Sequence, residues 1–186
     1  MRMISIMVAV LLLAVPARGA DDIASKFVND PTQGWAGYGS GVSVELFDDA
    51  SVQGGKAERV SVAGKTANPW DAGASAAITK PLKAGDVLLL AFWAKAVTPP
   101  EGAATIDFLA NIQNNSAPYN SLGSATVHVG PEWKLYFAAA TADKDYAANA
   151  AGVQLQLGVG KLVIDFGPLF VINYGPGYDT AKLPKS

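Results

Sequence analysis

From Gly41 onward, apolar and polar residues alternate with a period of two in short runs separated by Gly, Pro, Asn and Asp. That is the signature of half-buried strands joined by turns. Val42, Val44 and Leu46 alternate with Ser43, Glu45 and Phe47. Arg59–Val62 and Ala76–Thr79 predict two more strands, and Val87–Trp93 is almost continuously apolar, as expected of a central strand covered on both faces. Ile106, Phe108, Ala110 and Ile112 alternate with Asp107, Leu109, Asn111 and Gln113. Runs at 125–129, 134–139, 153–157, 162–166 and 170–172 complete the series. About nine or ten short strands must bury one face of each sheet against another layer. The expectation is therefore all-β, a β-sandwich jelly roll of two antiparallel sheets. The Ala-rich stretch 143–151 predicts at most a helical turn, and the Gly- and Pro-rich tail from Gly175 to Ser186 predicts turns lying on the surface or fraying.

The first residues break this pattern. Met1-Arg2-Met3 is a short basic start, Ile4 to Val15 is apolar apart from Ser5, and Pro16-Ala17-Arg18-Gly19-Ala20 offers small residues at a cleavage point. Residues 1–20 read as a secretory signal peptide, and the apolar run is shorter than the roughly 20 residues a spanning helix needs. The mature protein is expected to be secreted or periplasmic, with no stable membrane insertion after cleavage. Residues 21–186 form one domain, long enough for a substantial core without the disulfides that a chain lacking Cys cannot make.

Charge narrows the chemistry. Cleavage removes Arg2 and Arg18, which leaves 12 of the 14 basic residues against 16 acidic ones, with Arg59 the sole remaining Arg. A mildly acidic chain without Lys/Arg clusters is not built for nucleic acid, where phosphate contacts dominate affinity. His128 is the one histidine, in a strand with no nucleophile pattern beside it, and reads as structural or surface. A glycosidase would need two carboxylates across a cleft, and Asp107, Glu132 and Asp165 are scattered in sequence. Uronic-acid lyase chemistry would want cationic groups to neutralise the uronate, and this chain offers few.

Binding is better provided for. Sites for sugars pair a few amides with flat aromatic rings, because sugars present hydroxyl edges and apolar ring faces. Asn111, Gln113, Gln154 and Gln156 stand on the polar faces of two separate strands. Trp35, Tyr38, Trp70 and Tyr119 sit in turn-like sequence, where an exposed ring wants a cover. Trp93 and Trp133, by contrast, read as core.

Several stretches carry a resemblance. Gly54–Val62, Pro69-Trp70-Asp71 and Leu82–Asp86 running into Ala91–Ala96 are similar to the front half of carbohydrate-binding modules of families 4, 9 and 22. Glu132–Tyr136, Val153–Gly158 and Val163-Ile164-Asp165 resemble the late strands of those modules. The likeness runs from about Phe27 to Pro184. It implies a galactose-binding-like jelly roll that binds a polysaccharide or oligosaccharide of the xylan or β-glucan type on a concave sheet, without catalysis. It also implies a structural calcium ion near the chain ends, with Asp30 and Asp165 as its ligands. Two other readings remain at this point: a structural or protein-interaction sandwich of the cell envelope, and a small glycan-active hydrolase or lyase.

Overall fold

The structure is a computed structural model that describes residues 20–186. The leader expected over residues 1–20 therefore lies outside the described residues except for Ala20. A short helix α1 (Ala20–Ser25) is followed by ten strands: β1 (Ala36–Tyr38), β2 (Val42–Asp48), β3 (Lys56–Val62), β4 (Gly73–Ala77), β5 (Asp86–Thr98), β6 (Ile106–Asn114), β7 (Ser121–Val129), β8 (Lys134–Thr141), β9 (Ala151–Gln156) and β10 (Leu162–Pro176). They form two five-stranded antiparallel sheets, ordered β1-β4-β9-β6-β7 and β2-β3-β10-β5-β8. The expected jelly-roll sandwich is the fold of the chain.

The alternation seen in the sequence sets what each sheet buries. Leu88, Leu90 and Phe92 of β5, Ile106, Phe108 and Ile112 of β6, Val153 and Leu155 of β9, and Leu162, Ile164 and Phe166 of β10 meet between the layers. Each such side chain contributes about 1.5–3 kcal/mol on leaving water. Strand β5 is covered on both faces as expected. Its other side, with Val87 and Leu89, packs with Ile172 and Leu183 beneath Ile23, Phe27 and Tyr178. The tail is thus fastened to the second sheet, with Ser186 Oγ hydrogen-bonded at Phe137.

Four local expectations are revised. The two late runs join into the single strand β10, whose register shifts between Phe166 and Leu169, at Gly167-Pro168. Ala-rich 143–151 forms turns rather than a helical turn, because Tyr146 exchanges backbone hydrogen bonds with Leu82. Strand β4 spans Gly73–Ala77 rather than 76–79. Trp93 and Trp133 are not core: they are half-buried on the outer face of the second sheet, each fastened by its indole N–H. Trp93 Nε1 donates to Gln53 Oε1 (3.0 Å) and Trp133 Nε1 to Asp49 Oδ2 (3.1 Å), so the β2–β3 hairpin is folded down onto its own sheet.

Asp49 is the centre of that fastening. Hydrogen bonds from the Ser51 hydroxyl and backbone, then from Trp133, together with the Lys95 ammonium 3.4 Å away, hold its carboxyl well below the ordinary 3.8. A depressed carboxylate stabilises the fold above its unfolded pKa, and that contribution is lost as pH falls through the folded value. Asp49→Ala is therefore expected to lower Tm at neutral pH, with the gap to wild type closing as pH drops below 3.8. Parallel melting curves that keep a constant gap down to strong acid would overturn that role.

Candidate functional site

The outer face of the first sheet is a shallow polar floor. Pleating sends Tyr38 of β1, Gly73 and Ser75 of β4, Gln154 and Gln156 of β9, and Leu109, Asn111 and Gln113 of β6 to that side. Register confirms the rows: Gly73 stands opposite Gln156 and Gln156 opposite Leu109, while Ser75 stands opposite Gln154 and Gln154 opposite Asn111. Small residues on β4 leave the floor low. Tyr38 crosses it with its hydroxyl on the Leu155 carbonyl (3.2 Å), over Gly73, where a Cβ would meet that carbonyl and the ring.

Two rims rise at opposite ends of β4 and β9. Before β4, the turn Pro69–Asp71 is closed by reciprocal hydrogen bonds between Asn68 and Asp71, which hold Trp70 outward, 58 % exposed. Between β6 and β7, Tyr119 is 57 % exposed at a left-handed φ of 56°, a backbone region that non-glycine residues rarely occupy. Tyr38, Trp70, Gln113, Pro118, Tyr119, Gln154 and Gln156 together line a groove of about 540 Å³. A side pocket of about 290 Å³ continues it toward Ser75, Ala77 and Asn115.

The structure thus gathers seven of the eight expected ligand residues on one face, and they differ in what they can offer. Gln154 and Gln156 carry no side-chain hydrogen bond among the described residues, so both amides are free to meet a ligand. Asn111 is 4 % exposed and spent internally: it accepts from Ser121 Oγ and donates to Gln113 Oε1 (2.7 Å). Burial and then the nearby Asp71 charge push the Tyr38 hydroxyl up to about 12, so it stays protonated.

Trp35 is a correction. It is 5 % exposed inside the sandwich, edge-on to Phe92 (5.9 Å) and tilted against Phe166 (5.2 Å), with Nε1 on the Gly167 carbonyl. A ring used for packing offers no face to a ligand. The two carboxylates expected to hold calcium have protein partners of their own. Asp165 is fully buried opposite Arg59 and Lys95, bound by Arg59 at 2.8 and 2.9 Å with the Lys95 ammonium at 3.6 Å. Asp30 Oδ1 takes both the backbone and hydroxyl of Thr32. A carboxylate between two cations does not fit a divalent ion, and among the described residues no cluster of three or more acidic or histidine side chains gathers.

No catalytic pair converges in the groove. His128 meets Asp107 across β6 and β7 (3.0 Å), both more than half exposed, and neither lines the groove. What sequence reasoning missed was Ser121 and the wall formed by Pro118. The register shift between Ile112 and Gln113 sets Ser121, rather than Leu122, opposite Gln113. Alternation alone could not show that.

A family model described as a carbohydrate binding domain matches residues 23–160. Among curated proteins none matches the chain. Solved structures share the fold. A xylan-binding domain of Paenibacillus barcinonensis is 18 % identical with a TM-score of 0.56, over 82 % of this chain and 93 % of that one. The second N-terminal cellulose-binding domain of Cellulomonas fimi β-1,4-glucanase C is 20 % identical with a TM-score of 0.54, over 79 % and 90 % of the two chains. A Stig cyclase of Fischerella sp., in complex with a pyrrolidinylidene indole, is 12 % identical with a TM-score of 0.58, over 85 % and 93 %.

Proposed function

This chain belongs to the carbohydrate-binding domain family, and from that premise we propose that the groove on its first sheet holds a neutral glycan, of the xylan or β-glucan type, without altering it covalently. The observation that carries the reading is the pairing of two exposed rings, Trp70 and Tyr119, with the unspent amides of Gln154 and Gln156 in one groove. Rings cover the apolar faces of pyranoses while amides meet their hydroxyls. The xylan- and cellulose-binding names of the similar structures support this choice of ligand class. Its partners are polysaccharides or oligosaccharides, met outside the cytoplasm if the leader directs export as its sequence indicates.

Electrostatics points the same way. The residues lining the groove include no Lys, Arg, Asp, Glu or His. Binding should therefore be nearly independent of salt and flat across neutral pH, since no ion pair forms and Tyr38 stays protonated. Affinity electrophoresis and calorimetry of residues 21–186 against xylan, mixed-linkage glucan and pectin test both points. Retention by the neutral polymers at low and high salt supports the reading. Retention by pectin alone, or release of shorter products from any polymer, would overturn it.

A further inference from the structure

We propose that Ser121 and Asn111 form a positioning relay that fixes the side-chain amide of Gln113 with its N–H donors turned to the groove. This rests on the glycan-binding reading, and it adds what one point of the groove demands of its ligand. The direction of the relay is that of its hydrogen bonds: Ser121 Oγ donates to Asn111 Oδ1. Asn111 therefore turns Nδ2 to Gln113 and donates to Oε1 at 2.7 Å. With Oε1 engaged, the Nε2 protons of Gln113 are left for the groove that its side chain lines.

The fold supplies the relay by an irregularity. Ile112 stands opposite Gly123, so regular pairing would set Leu122 opposite Gln113; the register shift sets Ser121 there. Leu122 packs instead against the core. Asn111, with 4 % of its surface accessible, is shielded from the water that would otherwise compete for its amide. Gln154 and Gln156 have no such support, so they can present either end of their amides. Gln113 selects an acceptor, such as a ring, glycosidic or hydroxyl oxygen, while its two neighbours adapt.

Two measurements separate this relay from the function it serves. Side-chain ¹⁵N relaxation on the free protein reads the relay alone. Gln113 Nε2 is expected to be nearly as ordered as the backbone and Gln154 and Gln156 Nε2 mobile, with Ser121→Ala loosening Gln113. Calorimetry with xylo- and cello-oligosaccharides reads the consequence. Asn111→Asp should accept from both neighbours, turn Gln113 Oε1 outward and weaken binding about tenfold, equivalent to about 1.4 kcal/mol. Ser121→Ala should weaken it several-fold and lower Tm slightly, because the buried Asn111 Oδ1 loses its donor. A Gln113 amide as mobile as that of Gln154, or one indifferent to Ser121→Ala, overturns the relay whatever binds. A rigid Gln113 in a protein that takes up no glycan sustains the relay and removes the function.

Discussion

Trp35→Ala is expected to cost about 3–5 kcal/mol of stability, the range for emptying a large aromatic site in a packed core. For a domain of this size that lowers Tm by roughly 10 °C. The reasoning is local. Trp35 closes the end of the sandwich beside Phe92 and Phe166, and its indole N–H engages the Gly167 carbonyl in the middle of β10. Its backbone N–H is taken by Glu58 of β3, a carboxylate whose pKa is raised mainly by burial. Removing the ring leaves a void that those aromatics cannot collapse into, since each is already fixed by its own strand. Trp35→Phe separates the contributions: it keeps most of the packing and loses the single hydrogen bond, at about 1 kcal/mol. Urea unfolding of the two variants checks the prediction. An alanine variant as stable as wild type, with weakened glycan binding, would return Trp35 to the ligand site.

That the ring would be buried was hidden in the sequence by period. Strand β1 is three residues long, too short for alternation to register, and it is framed by glycines that read as turns. Gly37 is small because it faces inward against Val42 and Val44, not because the chain turns there. Long strands were legible: the amides of β6 and β9 keep strict alternation, so their common face could be anticipated before their pairing was known. Trp93 and Trp133 show the opposite failure. An apolar run around Trp93 and a strand start at Trp133 suggested burial between the sheets, but both rings lie on the outside, where Asp49 and Gln53 reach back from a hairpin distant in sequence. Asp165 was legible only in part. Its acidic character was visible and its cationic partners Arg59 and Lys95, brought together by register, were not.

The groove makes the other large prediction. Trp70→Ala and Tyr119→Asn are each expected to weaken glycan binding about tenfold while leaving Tm within about 2 °C of wild type. Both rings are more than half exposed, so neither contributes much core, and surface substitutions of this kind usually change stability by less than about 0.5 kcal/mol. Asparagine is chosen at position 119 because it tolerates the left-handed backbone that Tyr119 adopts at φ 56°; the ring is lost and the turn kept. Both rings line the one groove, so the double variant should lose more than either single variant, and any departure from additivity measures their coupling through the shared ligand. A ligand touching only one rim would instead make one single variant silent and the double no worse than the other. That result would shorten the bound segment to one end of the groove, and full retention by the double variant would remove the groove from the binding site altogether.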